Sequence, residues 1–183
     1  MRVRPPTRAR VGAVTLVGLT LTLLAVDLAV RRSDFAGLAA VGLGLVVTAS
    51  VGAVVGIRRP DHPAGWLLMS VTVFASASIA GTDYVQASLT APNPYPLTSF
   101  VGWMTTWVGF PPAGLGAILL LTFPTGRLTS RRWRALALAA VVAIVLASVS
   151  AALMPGPLPI AASMDNPLGW GGAGDVLSGI DAA

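Results

Sequence analysis

Cysteine is absent, and with it any disulfide framework, thiolate metal site or cysteine nucleophile. Lysine and glutamate are absent as well, so all twelve cations are arginine and all seven anions aspartate. Charged residues make up only 10% of the 183 positions, against 55% hydrophobic, and mean hydropathy is +0.78. A water-soluble domain of this length needs far more charge to coat its surface, which points to an integral membrane protein. The single histidine, His62, stands in a proline turn with no partner at a spacing suited to a triad or metal site, and reads as a solvated loop residue. No phosphate-cradling glycine pattern is present, nor an acid pair on one helix face for acid–base work. The expectation is a non-enzymatic chain without metal or cofactor. The net charge of +5 reads as membrane topology and not as nucleic-acid binding, because the arginines sit in short clusters beside apolar runs.

What the chain does have is five apolar runs of membrane-spanning length. They cover residues 11–30, 35–57, 66–84, 99–123 and 135–154, each about 20 residues or more, enough to cross roughly 30 Å of hydrocarbon. A basic tail over residues 1–10 precedes them, broken by Pro5-Pro6, and a Pro/Gly-rich tail over residues 155–183 follows. The first run is too long for a signal peptide, and Arg31-Arg32 is a poor cleavage context, so it reads as an uncleaved span. The expected fold is an all-α, five-helix membrane bundle.

The arginines set its direction. The stretch from Phe123 to Arg134 places Arg127, Arg131, Arg132 and Arg134 between two apolar runs, and Arg58 and Arg59 precede the third. Short basic loops stay on the cytoplasmic face. With the N-terminus inside, the inner segments hold Arg2, Arg4, Arg8, Arg10, Arg58, Arg59, Arg127, Arg131, Arg132 and Arg134, and the outer ones only Arg31 and Arg32. Trp66 and Trp133 then fall at the inner boundary and Tyr84, Tyr95 and Trp103 near the outer one, as an aromatic belt requires. An odd number of spans places the C-terminus outside.

Few positions inside the spans carry chemistry. Asp27 and Asp83 are the ionisable residues within or at the rim of a span, where a carboxylate is costly and marks a functional candidate. Asp27 lies four residues before Arg31, a spacing that suits an ion pair at the outer rim. Asp83 stands beside Tyr84 at the outer mouth of the third span; with Asp27 these are the candidate ligand contacts. Pro111-Pro112 at the centre of the fourth span predicts a kink. The second span carries Ala36, Ala40, Gly44, Thr48, Gly52 and Gly56 four residues apart, a stripe that drifts around the helix and lets part of it meet a neighbour closely. That neighbour is read first as another helix of the same bundle and secondly as a second copy of the chain. Lipid is the expected partner on the remaining faces.

Two loops carry a resemblance. Arg58-Arg59-Pro60-Asp61-His62-Pro63-Ala64-Gly65-Trp66-Leu67-Leu68 and Phe123-Pro124-Thr125-Gly126-Arg127-Leu128-Thr129-Ser130-Arg131-Arg132-Trp133 resemble the N-terminal membrane region of actinobacterial sensor histidine kinases, and Asp165-Asn166-Pro167-Leu168-Gly169 looks like the segment in the last outer loop of that family. His62 stands where the family often has Asn, and Thr129 where it often has Pro. The resemblance implies a signal-input module of a two-component system. The sixth span, phosphorylated histidine and ATP-binding domain that follow in the family are not part of these 183 residues, and His62 lacks the neighbours of a phosphoacceptor. Two other readings remain open at this point, an accessory subunit of a membrane transport complex and a truncated gene product.

Overall fold

The computed structural model describes residues 7–30, 35–123, 125–128 and 130–169. Six helices carry the architecture: α1 (Thr7–Val30), α2 (Phe35–Arg58), α3 (Pro63–Thr90), α4 (Thr98–Val108), α5 (Phe110–Thr122) and α6 (Arg131–Leu153). Helices α4 and α5 form one rod, Thr98–Thr122, interrupted at Gly109, so five rods are long and apolar enough to cross a membrane. A small antiparallel hairpin, β1 (Pro157–Leu158) and β2 (Ala161–Asp165), closes the described chain. The all-α membrane bundle expected from the apolar runs is the fold observed.

Helix α3 is the hub: it packs against α1, α2, α4 and α5, while α6 lies on α4 and α5. Its residues explain the position. Gly65, Met69, Thr72, Ser76, Ala80, Gly81, Val85 and Ser88 are buried and recur at three- and four-residue spacing, so two adjoining faces of α3 are covered at once. On α1 the buried set is Ala9, Ala13, Thr20 and Asp27, one stripe at heptad-like spacing. The stripe meets α3 in parallel. Gly12 lies against the Trp66 ring, and the Thr20 and Thr72 hydroxyls stand 3.4 Å apart.

Burial is reversed relative to a water-soluble domain. Among the described residues, the eight largest fully buried side chains include five polar ones, Thr20, Asp27, Thr72, Ser76 and Ser88. Large apolar side chains point outward instead, with Leu120 78% and Val14 68% exposed. In water that arrangement would be unstable. It fits a body solvated by hydrocarbon, where close packing of small residues and interhelical hydrogen bonds hold helices together.

A backbone-to-backbone contact joins α2 to α3. A Cβ added at Gly65 would collide with the Gly56 backbone nitrogen and sit 2.7 Å from the Gly52 carbonyl oxygen. Gly52 and Gly56 of the α2 stripe are thus buried against α3, with Ala49 beside them. Gly44 faces away from the bundle, where an added Cβ would meet nothing within 4 Å, and the Thr48 hydroxyl donates to the Gly44 carbonyl of its own helix at 2.8 Å.

Several helix ends differ from the apolar runs. Helix α3 continues past Tyr84 to Thr90, and α6 begins at Arg131 and not at Ala135. Ser130 accounts for the second difference: its side chain accepts the Trp133 amide at 3.3 Å, an N-cap that starts the helix inside the arginine cluster. Helix α1 starts at Thr7, so Arg8 and Arg10 ride its first turn, and residues 1–6 lie outside the described chain.

Gly65→Ala is expected to cost about 1–3 kcal/mol, because the clash is with backbone that cannot rotate away. Gly44→Ala is expected to stay within about 0.5 kcal/mol of the parent. Unfolding by SDS titration in mixed micelles measures both.

Candidate functional site

The two arginine-bearing loops meet. Parallel packing of α1 on α3 and the turn between α2 and α3 bring the start of α1, residues 58–63 and the loop after α5 to one end of the bundle. There Arg58, Arg59, Asp61, His62, Gly126 and Arg127 line a polar cavity of about 400 Å³. Each loop is held by its own hydrogen bonds. On the α2 side, the Arg59 amide donates to the Val55 carbonyl at 2.7 Å and the His62 amide to the Arg59 carbonyl at 3.0 Å. The Trp66 indole N–H donates to the Pro60 carbonyl at 3.0 Å. On the α5 side, the Gly126 amide donates to the Thr122 carbonyl at 2.7 Å and the Thr125 hydroxyl to the Arg127 carbonyl at 3.1 Å.

His62 is the piece that joins them. It is half-buried and not a solvated loop residue: its Nδ1 accepts the Ala64 amide at 3.2 Å and caps α3, while its ring lies against Gly126. Gly126 adopts φ +71°, and an added Cβ would fall 2.7 Å from the His62 ring, so the position requires glycine on both counts. The sequence signal for this role was the turn His62-Pro63, a capping residue before a proline at the first helical position.

The opposite, arginine-poor end is tied by a second network. Ser88 and Thr98 hydroxyls pair at 2.7 Å, the Tyr95 amide donates to Ser88 Oγ at 2.8 Å, and Thr98 Oγ1 donates to the Tyr95 carbonyl at 2.7 Å. Tyr84 stacks against Tyr95, ring centres 5.4 Å apart, and its hydroxyl donates to the Pro96 carbonyl at 2.7 Å. Asp83, beside it, is half-buried. Asp27 is fully buried on the α1 stripe that faces α3. Arg31, the expected partner of Asp27, lies outside the described residues. Neither carboxylate lines the cavities described here. Asn166 anchors the segment after α6. Its Nδ2 donates to the Ala152 carbonyl at 3.0 Å and the Met154 carbonyl at 2.7 Å, satisfying the end of α6, and its Oδ1 accepts the Leu168 amide at 3.0 Å. Leu158 of the hairpin is buried against Gly102 of α4.

Between the two ends runs an apolar groove of about 560 Å³ facing α6, lined by Trp103, Trp107, Pro111, Leu115, Ile144 and Ser148 among others. Pro111 and Pro112 sit in the first turn of α5. Lacking N–H groups, they leave the Trp107 and Val108 carbonyls without their regular helical donors; the Gly109 amide turns to the Trp107 carbonyl instead. The Trp107 indole N–H and Ser148 hydroxyl are buried without a hydrogen-bond partner among the described residues.

Among the described residues no group of three His, Cys, Asp or Glu side chains is placed to hold a metal ion. The described residues place arginines at one end, hydroxyls and carboxylates at the other, and an apolar groove beside a broken helix between them. No family model, curated protein or solved structure matches the chain.

Replacing Asn166 by Ala or Asp removes the amide donor that holds the last α6 carbonyls, and each change is expected to cost about 1–2 kcal/mol. Hydrogen exchange at residues 150–158 should accelerate equally in both variants, with the basic end unaffected.

Proposed function

We propose that this chain is a membrane-embedded signal-input module of the kind found in two-component sensor histidine kinases, oriented with its basic end in the cytoplasm. One observation carries the reading. A single rod, α4–α5, runs from the hydroxyl network at Ser88 and Thr98 to the Gly126 loop against His62, and it is interrupted only at Gly109–Pro112. A disturbance at the arginine-poor end or in the groove therefore has one deformable point to work on, and the loops at the basic end to move. A lipid-borne apolar stimulus would bear on the hinge through the groove beside Pro111. The positive-inside bias supports the orientation. The likeness of residues 58–68 and 123–133 to the kinase family supports the class.

A second reading, an accessory subunit of a larger membrane complex, is favoured by the open face of α2, where Gly44 lies among exposed Val41, Leu43 and Val47. The chain has no native cysteine. Gly44→Cys in native membranes therefore separates the two: disulfide-linked self-pairs support the input module, and links to a different protein support the accessory subunit.

The hinge itself is tested by spin labels at Leu97→Cys and Thr125→Cys in nanodiscs. Pro111→Ala with Pro112→Ala should straighten the rod and narrow the distance distribution. A distribution unchanged by the double replacement contradicts a hinge at this point and with it the proposed route of the signal.

A further inference from the structure

We infer that the cavity at the basic end is a binding site for a phosphate-bearing anion, of the kind carried by an acidic phospholipid headgroup. The inference does not depend on the signalling role. It begins with charge. Three guanidinium groups, Arg58, Arg59 and Arg127, line the cavity with one carboxylate, Asp61. Among the described residues, none of the three guanidinium groups forms an ion pair or hydrogen bond. Their donors are therefore not consumed among the described residues, and the like charges of two separate loops are held about one volume of 400 Å³. Holding like charges together costs free energy that a bound anion offsets.

Geometry adds the second argument. The two loops are 60 or more residues apart in sequence, and each is fixed by internal hydrogen bonds before any ligand arrives. The contact between His62 and Gly126 sets their separation. A site preorganised in this way does not pay to order its loops on binding. The N-terminus of α3, a helix of 28 residues, opens at Pro63 into the same cavity and adds its positive dipole end.

Location names the ligand. The cavity lies at the end of the bundle where the apolar rods stop, at the level of Trp66, the depth at which headgroups sit. Guanidinium forks match phosphate oxygens in pairs. Basic pockets between membrane helices on the cytoplasmic side take acidic headgroups by this chemistry. The pocket differs from a merely basic surface because Arg131, Arg132 and Arg134, on the first turn of α6, do not line it.

The full chain in a neutral detergent is titrated with short-chain phosphatidylglycerol, short-chain phosphatidylcholine and inorganic phosphate, and bound ligand is counted by native mass spectrometry. Phosphatidylglycerol should bind more tightly than phosphatidylcholine, and Arg127→Gln and Arg58→Gln should each weaken it about fivefold. Arg132→Gln, which removes the same charge outside the cavity, should leave it unchanged. Gly126→Ala should weaken it while keeping every charge; helical circular dichroism identical to the parent shows that the variant is folded. Inorganic phosphate bound with the same dependence on Arg127 assigns the site to a soluble phosphate and sustains the inference. Equal binding of the two lipids with no binding of phosphate overturns it. Equal losses in the Arg127→Gln and Arg132→Gln variants also overturn it, because attraction is then diffuse.

Discussion

The contact on which the rest of this bundle depends is the approach of α2 and α3 at Gly52, Gly56 and Gly65, where no side chain separates the two backbones. Hydrocarbon gives helices no hydrophobic reason to associate, so their association comes from such contacts and from shared hydrogen bonds. Closing the α2–α3 pair at this point brings Arg59 and His62 into a tight turn, and the turn places His62 as the cap of α3 and as the wall against which Gly126 rests. The basic cavity follows from glycine packing one turn further into the membrane.

Helix α3 carries the same logic toward the other end. Its small and hydroxyl-bearing faces let α1 and the α4–α5 rod come close, and Thr72 and Ser88 supply hydrogen bonds that lipid cannot. Helix α6 lacks such a face: Ala137 is its one buried residue, and it is held by Ile144 against Gly114 and by the Trp103 indole on the Ala152 carbonyl at 2.8 Å. The groove lies along this seam, beside Pro111 at the start of α5.

The spans were legible in the sequence because twenty apolar residues in succession have few other fates. The interruption of the fourth lies at Gly109, two residues before Pro111-Pro112, whose missing donors the sequence does announce. What was not legible depends on contacts between distant residues. The four-residue spacing on α2 implied that part of the stripe from Ala36 to Gly56 meets a neighbour, but not which part; among the described residues it is Gly52 and Gly56, with Ala49, because Gly65 on α3 selects them. Helix α3 outruns its apolar stretch because Ser88 is satisfied by Thr98 and Tyr95. The start of α6 is by contrast set locally: Ser130 accepts the Trp133 amide three residues on and caps the helix, although arginines in a first turn oppose its dipole. His62 looked solvated because its partner, Gly126, lies 64 residues along the chain. The hairpin at 157–165 has one strand of two residues, too short for any alternation to register.

The meeting of the two arginine loops at one cavity, on the face proposed to lie in the cytoplasm, is the claim most exposed to test. Asp61→Cys with Thr125→Cys, in a chain that has no other cysteine, places one thiol on each loop. A short bifunctional thiol reagent that cannot cross the membrane is applied to either face of native vesicles. The account predicts rapid intramolecular crosslinking from the cytoplasmic face alone. Crosslinking only from the opposite face, or none while each thiol singly reacts, would contradict it.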